Sequence, residues 1–478
     1  MITFTISIAL LVAAYFANGK FLGRFFGADP RRETPVHRLA DGVDYHELRP
    51  WRLFVIQFLN IAGLGPVFGA VLGAAYGPMA YLWIVLGCIL AGSVHDFLAG
   101  MLSLRHDGTS LPNLAGKYLG KHARRLMTLF TAILLVAVGV SFANGPADLL
   151  ARLTGIEAGW WLHAVFAYYI LATILPVNKI IGRIYPFMGA ALIFMALGIG
   201  AALVAGGLTG ALHLPELTLD SFRNMHARPE ENVLFPMMFI VISCGAISGF
   251  HATQSPMMAR CMGNERWARP VFHGAMISEG IVAMIWATAA MTFFGGAEGL
   301  NASGQTPAVI VNAICNSWLG KAGAIIAIVG VIVCPITSGD TAFRGTRLII
   351  ADALRVGQKP VRARLLLSAP VFAAAYFLCR FDFSTVWKYV GISNQVLATV
   401  TLWTLSVYLS RAGKAHWITS LPATFLTVVC VSYLLLAPYR AGGLALPSSV
   451  AYPAGIIAGV ALLGAFLVKT KRTPYNKE

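Results

Sequence analysis

Apolar residues fill this chain in long blocks, and the charged residues gather in short clusters between them. A helix that crosses a bilayer needs about 20 mainly apolar residues. Thirteen blocks meet that requirement, at 2–18, 51–73, 79–103, 126–147, 159–176, 184–206, 234–257, 271–295, 322–343, 363–379, 386–409, 416–436 and 450–468. A further apolar stretch at 306–315 is too short to span and predicts a re-entrant or interfacial helix. The pattern predicts an all-α polytopic membrane protein, a single membrane domain over 1–478 whose largest loops are 19–50 and 207–233. Residues 1–18 lack a preceding basic region and a following A-x-A site, so they read as a retained first helix.

Two of the blocks are interrupted. In the second span Asn60-Ile61-Ala62-Gly63-Leu64-Gly65-Pro66 breaks the helical run. In the seventh, Cys244-Gly245-Ala246-Ile247-Ser248-Gly249 does so, followed by His251, Gln254, Ser255 and Pro256. Paired glycine or proline interruptions at matching places are the sequence sign of a transporter built from two inverted halves. Spans two to six (51–206) and seven to eleven (234–409) make two sets of five, and an odd number of spans inverts the second set. One helix (1–20) precedes this five-plus-five repeat and two (416–468) follow it. A broken helix frees N–H groups that suit a carboxylate and carbonyls that suit a cation or a protonated donor.

Composition agrees with this reading. Hydrophobic residues make up 57%, charged residues 12%, and the mean hydropathy is +0.71, which excludes a water-soluble domain of this size. The formal charge of +16 would raise nucleic acid as a partner in a soluble protein. Here the charge follows the loops. Taking alternate loops together, 29 of the 36 Lys and Arg fall on one side, and only Arg152, Arg223, Arg228, Lys321, Arg380, Lys388 and Arg440 on the other. The crowded side is cytoplasmic by the positive-inside rule, which sets the N-terminus outside and the C-terminus inside a bacterial inner membrane. The expected partners are a lipid bilayer and a small substrate, with no nucleic acid; oligomeric state leaves no sequence signal.

Ionisable groups inside spans are expensive and tend to line pathways. His95-Asp96 sits in the third span, and Glu279 lies in the eighth. Asp340 follows Thr337 and Ser338 and precedes Thr341, a carboxylate among hydroxyls that suits a proton or a small hard cation. Asn394-Gln395 in the eleventh span and Asn144 in the fourth offer amide donors. There is no metal-ligand spacing and no G-x-x-x-x-G-K-[ST] loop, so no cofactor is expected and transport is either driven by an ion gradient, proton or sodium, or passive.

The stretches Gly65-Pro66-Val67-Phe68-Gly69-Ala70, Gly87 through His95-Asp96-Phe97, Ser255-Pro256-Met257-Met258-Ala259-Arg260 and Ile392-Ser393-Asn394-Gln395 resemble the carbon starvation protein A (CstA) family. The resemblance covers 20–410 of the chain. It implies membership of the amino acid–polyamine–organocation superfamily, whose fold is the LeuT-like five-plus-five inverted repeat. It also implies uptake of pyruvate, with protons, or of peptides during nutrient starvation. Well-known members are longer than this chain.

These readings combine into one expectation of alternating access. The substrate carboxylate binds between the two broken helices, near the N–H groups of Gly65 and Gly249. Gly63, Pro66, Asn144, Ser248, His251, Gln254, Asn394 and Gln395 complete the pocket. Asp340 with Thr337, Ser338 and Thr341, and Glu279, serve the coupling ion, and His95-Asp96 belongs to the inner gate. A peptide carrier is the alternative within transport. A membrane-embedded enzyme or sensor is disfavoured, because the sequence has no soluble output domain and no paired nucleophile and base.

Overall fold

The structure, a computed structural model, describes residues 1–40, 45–174, 177–354, 356, 360–381 and 383–472. Among them the chain is helical and contains no strand. The major helices are α1 (Ile2–Phe26), α2 (Pro50–Ile61), α3 (Leu64–Ala74), α4 (Met79–Leu104), α5 (Lys121–Thr154), α6 (Ala158–Ile174) and α7 (Val177–Thr209). The second half comprises α8 (Gly249–Arg260), α9 (Glu265–Phe293), α10 (Pro307–Leu354), α11 (Val361–Leu378), α12 (Phe383–Arg411), α13 (Trp417–Leu436) and α14 (Ser448–Arg472).

Among the described residues nine single helices are long and apolar enough to cross a bilayer, and α2 with α3, bent by 41°, make a tenth span. The remaining three predicted spans are also helical. They are α6, with 17 residues; the broken segment ending in α8; and the later part of α10. The predicted span 159–176 runs two residues past α6, and residues 175 and 176 lie outside the described set. The short apolar stretch at 306–315 opens α10, which turns at Gly320 (φ 65°) before the spanning part begins.

Both interruptions are breaks. At the first, Gly63 leaves the helical region (ψ −128°), and Pro66 falls in the first turn of α3, where its missing N–H removes no helical bond. At the second, residues 242–248 are non-helical between the short helical turns Leu234–Met238 and Phe239–Val241 and the start of α8. Gly245 there has φ +89°, a left-handed conformation that a side chain would strain. The two breaks meet: a Cβ at Gly65 would lie 2.6 Å from Cys244 Sγ.

Helices in lipid gain little from apolar contact and associate through close packing at small residues. Gly139 on α5 receives the ring of Phe343 on α10, and Gly100 on α4 receives the ring of Phe272 on α9, each within about 2.4 Å of where a Cβ would stand. Outward-facing positions such as Leu10, Leu197, Leu366 and Ile457 stay exposed for lipid. Buried polar residues line α2, α4, α8, α9 and α12 around the breaks, and α10 and α13 carry others.

Candidate functional site

The second break is held by side chains from two neighbouring helices. Asn394 on α12 caps α8: its Oδ1 accepts from the Phe250 N–H at 2.9 Å and from the Ser248 hydroxyl at 3.1 Å. An acceptor here satisfies a first-turn N–H that has no partner within the helix. Next to it, the Gln395 amide donates to the Phe239 carbonyl at 2.9 Å. Gly249 and Gly391 let the two backbones touch, since a Cβ would lie 2.4 Å from the Asn394 carbonyl oxygen at the first and 2.5 Å from the Ile240 carbonyl oxygen at the second. On the other side Glu279 Oε1 of α9 accepts from the Gly245 N–H at 3.0 Å. Protein oxygens thus occupy the N–H groups of Gly245 and Phe250, beside the position expected to offer open donors to a substrate.

From Glu279 a chain of titratable groups runs through the membrane interior. His251 on α8 places Nε2 3.2 Å from Glu279 Oε2 and Nδ1 2.7 Å from Asp96 Oδ2. Asp96 Oδ1 in turn lies 2.7 Å from His95 Nδ1. All four side chains have 0% exposure, so bulk solvent does not screen the contacts. The His251 to Glu279 contact is close but misaligned for a hydrogen bond, and His95 Nε2 is buried without a partner. The sequence assigned these four residues to gate, pocket and coupling ion separately; the fold joins them into one network.

Several predicted pocket residues lie at the same place. Gly63, Gly65 and Pro66 form the first break, and Pro66 Cβ is 3.8 Å from where a Gly245 side chain would start. Gln254 donates to Thr253 at 2.9 Å, while its Oε1, like that of Gln395, is buried without a partner. Gln57, absent from the sequence-based site, belongs with them: it is fully buried on α2 and neither amide atom has a partner, and Asn60 Oδ1 three residues on is also unpartnered. The sequence signal was two amides three positions apart on one helical face, just before the break.

Other predicted residues sit elsewhere. Asn144 ties α5 to Cys379, donating to its carbonyl at 3.1 Å. Asp340 is paired with Arg344 one turn along α10, at 3.0 Å, and the Thr341 hydroxyl donates to the Ser338 carbonyl at 2.8 Å. Thr337 and Ser338 are buried on the same helix. Among the described residues no hydrogen bond or ion pair joins this group to the His251 network.

The family described as carbon starvation protein CstA matches residues 1–148, 134–315 and 294–433. The chain belongs to this family. A membrane protein of Haemophilus influenzae is 40% identical over 350 residues, 63% of this chain and 93% of its own length. The Bacillus subtilis relative named peptide transporter CstA is 25% identical over 88% of each chain. The Escherichia coli pyruvate/proton symporter BtsT is 26% identical over 59% of this chain and 48% of its own. Among solved structures, MhsT in complex with L-phenylalanine superposes with a TM-score of 0.56 at 14% identity, covering 89% of this chain and 99% of that one. Mhp1, a nucleobase-cation-symport-1 family transporter, does so at 0.56 and 13%, covering 91% and 95%. At such identities the likeness establishes the fold, which is LeuT-like with five-plus-five inverted spans, one helix before and two after. The Bacillus subtilis and Escherichia coli relatives are named as transporters, and this CstA-family chain is a membrane transporter rather than an enzyme.

Proposed function

We propose that this CstA-family protein takes up pyruvate or a similar small carboxylate across the bacterial inner membrane, driven by protons, with its N-terminus outside and C-terminus cytoplasmic. The observation that carries the proton assignment is the position of His251 between the carboxylates of Asp96 and Glu279. A neutral imidazole has one N–H and one lone pair, so it can donate to only one of two carboxylates. Favourable contact on both sides takes one further proton, on the ring or on a carboxyl. The network is thus a place where a proton is stored in the membrane interior, against the second break, where its arrival or loss changes the hold of Glu279 on Gly245. Asp340, already paired with Arg344, is the weaker candidate for coupling.

The unpartnered amide N–H group of Gln57 supplies a donor for a carboxylate or keto oxygen beside the first break, and the name of the pyruvate/proton symporter relative supports the same substrate. Peptide uptake is the second reading, favoured by the peptide transporter CstA relatives, one of which matches 91% of this chain. Uptake of labelled pyruvate into proteoliposomes, with and without an imposed proton gradient and with alanyl peptides as competitors, separates the two. Gradient-dependent pyruvate accumulation indifferent to peptides supports the carboxylate; peptide uptake without pyruvate uptake moves the function to the peptide carrier.

A further inference from the structure

At the far end of α10 from the Gly320 turn the charge balance is unusual. Asp340, Arg344 and Arg347 follow at spacings of four and three, so they share one face of the helix. Arg344 is paired with Asp340 at 3.0 Å and also reaches the Ala172 carbonyl of α6 at 3.4 Å. Arg347 is only 5% exposed. Its Nε is buried without a hydrogen-bond partner, as are those of Arg344 and of Arg364 in the first turn of α11. The charges that reach Arg347 are Arg344, Arg364 and Asp340, so that with Arg347 itself three cations share one anion, and that anion is engaged by Arg344.

Arginine cannot escape this situation by losing its proton, as a buried lysine can. A buried cation left uncompensated is strongly destabilising, and the planar guanidinium matches the paired oxygens of carboxylate and phosphate groups. The start of α11 adds the positive end of a helix dipole to the same corner.

We propose that Arg344, Arg347 and Arg364 form an anion site for a phosphate-type oxyanion, carried either by an anionic lipid headgroup or by free phosphate. The site is separate from the His251 network and does not depend on which substrate the protein carries. With the C-terminal end of α10 and the start of α11 on the cytoplasmic side, as in the proposed orientation, it lies where the inner leaflet and the cytosol both present phosphate groups. Occupancy ties α10 to α11 and neutralises the arginine cluster.

The test uses the purified full chain in neutral detergent at constant ionic strength. Phosphatidylglycerol is titrated in one arm and inorganic phosphate in the other, and the thermal unfolding midpoint is followed. The native chain is expected to show a saturable rise in at least one arm, and Arg347→Gln to need about tenfold more ligand, the loss of one charge-assisted hydrogen bond. Arg364→Gln, whose side chain is half-buried, is expected to weaken the same arm and decides the matter if Arg347→Gln fails to fold. A rise with the lipid alone assigns the headgroup, and a rise with phosphate assigns the soluble anion. No saturable rise in either arm, or an equal rise in the native chain and the folded variants, overturns the site.

Discussion

His251 Nδ1 lies 2.7 Å from Asp96 Oδ2, a contact between residues 155 positions apart that joins α4 to the second broken helix. Both side chains are fully buried, so removing one leaves the other without a counterpart in a low-dielectric interior. Asp96→Ala and His251→Ala are each expected to destabilise the protein by about 3–5 kcal/mol. The double variant is expected to lose less than the sum, because one network is broken once. Thermal unfolding of the three variants in detergent checks this, and additive losses would mean that the pair does not interact.

Asn394 is expected to be structural as much as functional. Asn394→Ala removes the acceptor for the Phe250 N–H and the Ser248 hydroxyl and is expected to cost about 1–2 kcal/mol, the worth of a helix cap. Gly249→Ala drives a methyl against the Asn394 carbonyl and costs about 1–3 kcal/mol as overpacking. Unfolding midpoints that match the native chain in both variants would show that α12 does not hold the break.

The spans were legible because burial in lipid demands long apolar runs, and each of the thirteen has a helical counterpart. Both breaks were legible for a related reason: Gly63 and Gly245 interrupt runs that would otherwise be continuous helix. Partner choice was not legible. Nothing in the order of residues says that Glu279 reaches Gly245 or that His251 stands between Glu279 and Asp96, since these meetings depend on helix rotation and crossing, whereas the pairing of Asp340 with Arg344 follows from a spacing of four on one helix. Gln57 was passed over because an amide pair such as Gln57 and Asn60 in an apolar run looks like any buried polar residues until their lack of partners is seen.

At the loop end of α4, Arg105 makes a two-pronged pair with Glu265, 3.0 Å from Nε to Oε1 and 2.9 Å from Nη2 to Oε2, and also donates to the Gly27 carbonyl. The Glu265 side chain is 1% exposed. Arg105→Ala is therefore expected to destabilise by about 3 kcal/mol or more, and Arg105→Ala with Glu265→Gln to recover part of that loss. Thermal unfolding of the single and double variants reads the difference; a double variant worse than the single would contradict it.

The loop 207–233 carries a pH dependence. His226 packs on Tyr76 at a ring distance of 5.0 Å, and burial first, then Lys388 and Arg228, push its pKa down from 6.5 to about 4. The folded loop therefore favours the neutral ring, while the unfolded chain takes up the proton below pH 6.5. Stability contributed by this loop is full above 6.5 and falls as pH drops toward 4. Hydrogen exchange in the loop is expected to accelerate between those values, beyond its intrinsic pH dependence, and the change to be flattened in His226→Gln. An identical profile in the variant would assign the effect to other groups.

Glu279 links the stored proton to the second break, through His251 on one side and the Gly245 N–H on the other. The deciding measurement is pyruvate transport in proteoliposomes by the native chain and by Glu279→Gln, read both as accumulation driven by a proton gradient and as exchange without one. Gradient-driven accumulation is expected to disappear in the variant while exchange continues, because the substrate contacts remain and the proton acceptor is gone. Accumulation by Glu279→Gln at the native ratio would contradict proton coupling through the Asp96–His251–Glu279 network.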